Sequence, residues 1–365
     1  MLKATGILVA LSAVSAVAAP VTITAYYPGH LKSLYIRGDG CGLDWENGVA
    51  MGASGTDSWE SVLDCDHVDT LDVKVLVDDK TWMLGANHHV NVGDTNSSSV
   101  YPWFYTTKGT LEIIENVYSS ELKNARDVIV YKPPSYAENT LKVHKNVLIM
   151  HDGQNLFDPR TSAFGAWMCQ DALDTSIVGG SAEEILVVGA YNTVDRNDEY
   201  TYIYDPSEGF GGKGDLYLDW IEGTLLPLIP KNFRAVVERD TLGILGSSLG
   251  GLISCYAAWT RSEVYGRAGC MSSSFWWDDN DYQKNVITKG PPSGTPLPIV
   301  YMDSGDGSKG ERDCTRYTGE IYDYELSDCG YTETNTFTYV MPGGTHDEAS
   351  WGERFHIPIE KLYPA

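Results

Sequence analysis

TLGILGSSLGGLISCYAAW, residues 241–259, changes character halfway along its length. Its first part is a short apolar run suited to a buried strand, and its last part is an apolar stretch long enough for a helix. Between them lies Gly246-Ser247-Ser248-Leu249-Gly250, a G-x-S-x-G at the point where a strand must reverse into a helix. Glycines there remove the Cβ atoms that would block so sharp a turn, and the turn lifts Ser248 out of the sheet as a candidate nucleophile. In a chain with 37 glycines the five residues alone say little, and a Gly-rich turn over a buried serine is the competing reading. The strand before and the helix after are what give the pattern meaning.

Working outward, DVIVYK, NVLIMH, EILVVGA, AGCMSS, PIVYMD and TFTYVM are further β-rich apolar runs, with helix-compatible segments such as DLYLDWIEGTLLPLI between them. Such alternation predicts an α/β fold, a mostly parallel sheet with helices on both faces, over residues 111–365. Residues 19–108 read differently. VTITAYY, SLYIRG, LDVKVLV and WMLG are short strands separated by Gly, Asp and Asn turns, which predicts a small all-β sandwich.

A serine hydroxyl needs a base, and behind a nucleophile elbow the chain order is serine, acid, histidine. Only His346 and His356 follow Ser248. His346 sits in a Gly-rich loop after the run TFTYVM and is the expected base, whereas His356 falls within a closing helix. The loop after PIVYMD offers Asp303, Asp306 and Asp313. Asp303 reads as strand and Asp313 as a helix cap, so the expectation falls on Asp306. Backbone donors for an oxyanion are expected at Leu249, which follows the nucleophile, and at Gln154 in the loop after NVLIMH. His151 and Asp152 precede the nucleophile and are read as shaping that loop.

The 26 Lys and Arg stand against 50 Asp and Glu, a formal net charge of −24. Such a surface repels phosphate backbones and anionic lipids, which argues against nucleic-acid and membrane partners. Residues 1–18 carry Lys3, an apolar run and Ala16 and Ala18, the pattern of a secretory signal, so the mature chain is expected to be extracellular. Export permits disulfides, expected for Cys41 with Cys65 and for Cys314 with Cys329, while Cys255 and Cys270 read as packed thiols. No cysteine pair has zinc-ligand spacing, and no metal site is expected. Adjacent His88 and His89 point to opposite strand faces and are rejected as ligands. Asn96-Ser97-Ser98 is a glycosylation sequon in a polar loop.

HDGQNLFDP, NTVDRNDEYT, LGSSLGGLIS, SSSFWWDD and PGGTHDEASW, in that order, resemble the secreted putative-esterase family that includes esterase D, feruloyl esterases and siderophore esterases. The resemblance implies an α/β-hydrolase fold and cofactor-free, serine-dependent cleavage of carboxylic esters. It carries the nucleophile to Ser248, the base to His346 and the oxyanion donors to Leu249 and Gln154. One departure stands out: Ser308 occupies the place, three beyond Gly305, where relatives often carry the acid.

GCGLDWENGVAM, LDVKVLV and TWMLGAN resemble starch-binding domains, which implies a sugar platform at Trp45, Lys74 and Trp82, with core packing the alternative for both tryptophans. Tyr200, Tyr202, Trp276 and Trp277 fall on loops after predicted strands, where they either line a ligand rim or pack beneath it. Together these features imply a secreted serine esterase acting on acetyl or feruloyl esters of carbohydrates. A siderophore lactone or lipid-like ester is the rival substrate, and a catalytically silent sugar-binding protein is the rival from another class.

Overall fold

A computed structural model describes residues 20–29, 33–66, 68–92, 96–289, 294–307 and 313–365. The expected signal segment and Ser308 lie outside the described residues. The chain forms two compact units, one running to Met83 with Asn87–Pro102, the other comprising Leu84–Ala86 with Trp103–Ala365.

Among its described residues the first unit holds two sheets. One has four strands in the order Gly52–Ala53, Ser58–Leu63, Val21–Tyr26, Ser97–Val100. The other is built on Leu34–Gly38 and Thr70–Val77, which pair antiparallel. Alternation makes one face of each strand apolar: Leu71, Val73 and Val75 are buried while Asp72 and Lys74 point the other way. The expected Cys41–Cys65 bridge is present, closing a sequence separation of 24 residues.

The second unit is built on one eight-stranded sheet: β1 (Thr110–Ser119), β2 (Asn124–Lys132), β3 (Asn146–Met150), β4 (Ile185–Ala190), β5 (Leu242–Ser247), β6 (Arg267–Met271), β7 (Ile299–Gly305) and β8 (Thr336–Met341). Their order is β1-β2-β4-β3-β5-β6-β7-β8, with β2 antiparallel to both β1 and β4 and every other neighbouring pair parallel. In β3, Val147 and Ile149 face one apolar cluster with Leu252 and Ile253 of helix α2 (Leu249–Thr260). Leu148 and Met150 face the opposite cluster with Leu173 and Ile177 of helix α1 (Cys169–Gly179). Coverage on both sides is why the central strands read as unbroken apolar runs. Strand β1 was not expected. It is an edge strand with Leu111 and Ile113 exposed and a register shift after Ile114, so it lacks that signature.

The second disulfide differs from expectation. Cys314 and Cys329 are free and flank helix α3 (Thr315–Asp328), whose 14 residues hold the two ends apart by about 1.5 Å per residue. That far exceeds the span a disulfide can bridge. Cys255 on α2 instead bonds Cys270 on β6, with Cα atoms 5.9 Å apart, because the helix after the elbow packs back over the next strand.

Candidate active site

Strand β5 ends at Ser247 and helix α2 begins at Leu249, which leaves Ser248 alone to make the turn, at φ 58° and ψ −123°. A non-glycine residue held there costs on the order of 1–3 kcal/mol, so the surroundings must impose it. Ser248 N–H donates to Met271 O (3.0 Å), and its carbonyl accepts from Leu252 N–H and Ser274 N–H (3.0 Å each). A Cβ on Gly246 would stand 2.7 Å from Gly250 C and from His151 Cδ2, so close packing of strand on helix requires glycine here.

His346 follows β8, and its approach to the elbow is fixed from both sides. Asp306 N–H donates to Met341 O and Gly307 N–H to Gly344 O, tying the loops after β7 and β8 together. Behind His346, Asp347 caps helix α4 (Glu348–Arg354) by accepting from Ser350 N–H at 3.0 Å. The imidazole lies edge-on to Trp351, centroids 5.0 Å apart. His346 Nε2 is 2.9 Å from Ser248 Oγ, and its Nδ1 is 3.0 Å from Asp313 Oδ1. Ser248, His346 and Asp313 thus form one hydrogen-bonded chain.

The carboxylate in that chain corrects the expectation of Asp306. Asp306 accepts from Gly343 N–H at 2.5 Å and serves to join the two loops. Asp313 is buried, its second oxygen accepting from Gly305 N–H. Asp303 lies in the strand and pairs with Arg354 through two 3.0 Å contacts, both side chains almost completely buried. Arg354 Nη2 also stands 3.9 Å from Asp313 Oδ2, so one buried guanidinium serves both acids. From sequence alone Asp313 reads as a helix cap, because nothing local shows which carboxylate a distant loop will meet.

Gln154 falls in the short turn Gly153–Asn155 directly after β3, the strand beside β5, and Leu249 is the first residue of α2. A Cβ on Gly153 would stand 2.4 Å from Gly189 O, so glycine alone permits that loop its path. Asp152 pairs with Arg196 (2.7 and 2.8 Å) and accepts from Asn192 (2.6 Å), while Gln154 Oε1 accepts from Asn192 N–H. His151 is fully buried between Tyr217 OH and Ser254 Oγ, and burial pushes its pKa down to about 3. It is a neutral packing residue, as Asp152 is a loop anchor.

Of the rim aromatics, Tyr200 and Trp277 are buried, whereas Trp276 is 38% exposed. In the N-terminal unit Trp45, Lys74 and Trp82, joined by Asn87, line an open depression of about 310 Å³. The two indole rings lie 6.3 Å apart at 32° and are 37% and 38% exposed, so neither is a core residue. Arg37 stacks on Trp82 and donates to the Trp45 carbonyl, joining the short strand Thr81–Trp82 to the loop that carries Trp45. Asn87 was not foreseen; a lone Asn in a turn carries no signal of its own.

The sheet order, the elbow and the Ser248–His346–Asp313 chain define an α/β-hydrolase. The chain belongs to the family described as "putative esterase", whose model matches residues 119–356, and it is a carboxylic ester hydrolase. It is 26% identical over 246 residues to the uncharacterised protein YbbA of Bacillus subtilis, covering 65% of this chain and 92% of that one. Its fold is similar to the IroE-like serine hydrolase of Shewanella oneidensis (TM-score 0.54, 19% identity, 69% of this chain and 79% of that one). The enterobactin esterase of Shigella flexneri is similar over 93% of this chain and 92% of its own (TM-score 0.54, 14% identity).

Proposed function

We propose that the protein is a secreted serine esterase that works through an acyl-Ser248 intermediate on acetyl or feruloyl esters of carbohydrates. The observation that carries the mechanism is the continuous chain from Ser248 Oγ to His346 Nε2 (2.9 Å) and from His346 Nδ1 to Asp313 (3.0 Å). His346 takes the hydroxyl proton as Ser248 attacks the ester carbonyl, and Asp313 holds the imidazole in the tautomer that can accept it. The amides of Leu249 and Gln154 hold the developing oxyanion. The alcohol leaves with the proton from His346, and water then repeats the sequence on the acyl-serine.

A carbohydrate substrate is supported by the exposed tryptophan pair of the N-terminal unit, whose flat faces suit pyranose CH surfaces and need no charge. Secretion is supported by the leader-like first residues and the two disulfides. A siderophore lactone is the second reading, favoured by the likeness to enterobactin esterase along nearly the whole chain. The net charge of −24 disfavours an anionic siderophore. Hydrolysis of acetylated xylan, methyl ferulate, nitrophenyl acetate and a catechol trilactone, by wild type and Ser248→Ala, separates these readings. Preference for the trilactone would overturn the carbohydrate assignment. A wild type without fluorophosphonate labelling would indicate a silent binding protein.

A further inference from the structure

The nucleophile oxygen has a second neighbour. Ser274 Oγ lies 3.3 Å from Ser248 Oγ, on a residue only 2% exposed, in the loop that follows β6. That loop is fixed: Ser274 N–H donates to Ser248 O at 3.0 Å, and Ser274 O accepts from Trp277 N–H at 3.1 Å. We infer that Ser274 is a further catalytic residue, whose hydroxyl donates to Ser248 Oγ and assists departure of that oxygen from the acyl-enzyme. The inference rests on the acyl-serine reading above.

Proton arithmetic sets the direction of the bond. His346 Nδ1 faces the Asp313 carboxylate and carries the ring proton, so Nε2 is an acceptor in the neutral imidazole. The one hydroxyl proton of Ser248 is therefore aimed at Nε2, at 2.9 Å. What joins the two serines must be the Ser274 proton, given to a lone pair of Ser248 Oγ. The separation is long for such a bond in the free enzyme, where catalytic hydrogen bonds are often loose and shorten as charge builds.

Donation to this oxygen acts unequally on the two halves of the reaction. During acylation Oγ is the attacking atom, and a hydrogen bond on its lone pair withdraws electron density, so little is gained. During deacylation a water oxygen bonds to the acyl carbon and its proton passes to His346 Nε2. The carbon–Oγ bond then breaks, its electron pair returns to Oγ, and His346 returns the proton there. Negative charge on Oγ peaks as that bond opens, and hydrogen bonds to charged groups are stronger than to neutral ones. Ser274 keeps its own proton throughout, so it serves as a donor and not as a base.

The experiment is rapid-quench turnover of nitrophenyl acetate, with the acetyl adduct on Ser248 followed by intact mass. Ser274→Ala should form the adduct within about threefold of wild type and lose it about tenfold more slowly, so that a burst of nitrophenol emerges. Ser274→Thr keeps the hydroxyl and should restore decay, and Ser274→Cys, a weaker donor, should fall between. Fluorophosphonate labelling of each variant reports an intact elbow. Unchanged adduct decay in Ser274→Ala would overturn the assignment. Equal slowing of formation and decay would also overturn it, because a misplaced nucleophile slows both. If Ser248→Ala still turns over the ester, the acyl-serine reading itself is what fails.

Discussion

The Asp313 carboxylate lies 3.0 Å from His346 Nδ1, across 33 residues of chain, while Asp306, nearer the expected place, faces the amide of Gly343. Removing the charge on Asp313 leaves the imidazole free to adopt the wrong tautomer. Asp313→Asn is expected to lower kcat by about 10³ to 10⁴, and Asp306→Asn by no more than about tenfold. Steady-state kinetics on nitrophenyl acetate measures both, and the reverse ranking would return the acid to Asp306.

Arg354 and Asp303 form a buried ion pair whose contacts extend to Ser272 Oγ (2.6 Å) and Ser350 Oγ (3.0 Å). A buried carboxylate left without its cation is costly. Arg354→Met is expected to destabilise the chain by about 3–5 kcal/mol, and adding Asp303→Leu to recover part of that loss. Urea unfolding of the single and double variants reads the coupling, and additive losses would show that the pair is not a unit.

The disulfide pattern has a direct chemical readout. With Cys41–Cys65 and Cys255–Cys270 closed, three thiols remain, Cys169, Cys314 and Cys329. Denaturing thiol titration should count three, and peptide mapping should find Cys255 joined to Cys270. Replacing both by Ala is expected to cost about 3 kcal/mol, from a separation of 15 residues. A mapped Cys314–Cys329 peptide would contradict the structure.

Glu325 is buried, accepts from Thr336 Oγ1 at 2.6 Å and has no cation partner among the described residues, and desolvation raises its pKa from 4.5 to about 8. Between those values the folded chain holds a proton that the unfolded chain has lost. Its contribution to stability therefore falls as pH rises through that window, by up to about 1.4 kcal/mol per unit. Glu325→Gln should remove the slope and gain most over wild type near pH 8. On the acid side, burial lowers His144 to about 4 and His151 to about 3, so stability should also fall as pH drops below about 6.5. Urea midpoints across pH test both limbs, and a wild type–variant difference independent of pH would refute the Glu325 assignment.

The tryptophan platform predicts binding separable by mutation. Trp45→Ala and Trp82→Ala should each weaken maltooligosaccharide binding by about tenfold, the scale of a lost aromatic face. Calorimetric titration of the full chain provides the measurement. Wild-type affinity in both variants would remove the sugar platform.

Sequence by itself determined the elements that depend on local pattern. The buried strands announced themselves because helices cover both faces, and Ser248 did so because a strand-to-helix reversal demands glycines at fixed spacing. His346 was legible because few histidines follow the nucleophile. What only the tertiary structure decided is which distant groups meet. Asp303, Asp306 and Asp313 are chemically alike within one short stretch, and only the partners they meet, Arg354, the Gly343 amide and His346, tell them apart. Likewise Cys255 and Cys270 look like packed thiols until α2 folds over β6, and Cys314 and Cys329 look like partners until a helix holds them apart. Periodicity records burial, which each segment experiences alone, whereas a hydrogen bond or a disulfide is a coincidence of two segments in space.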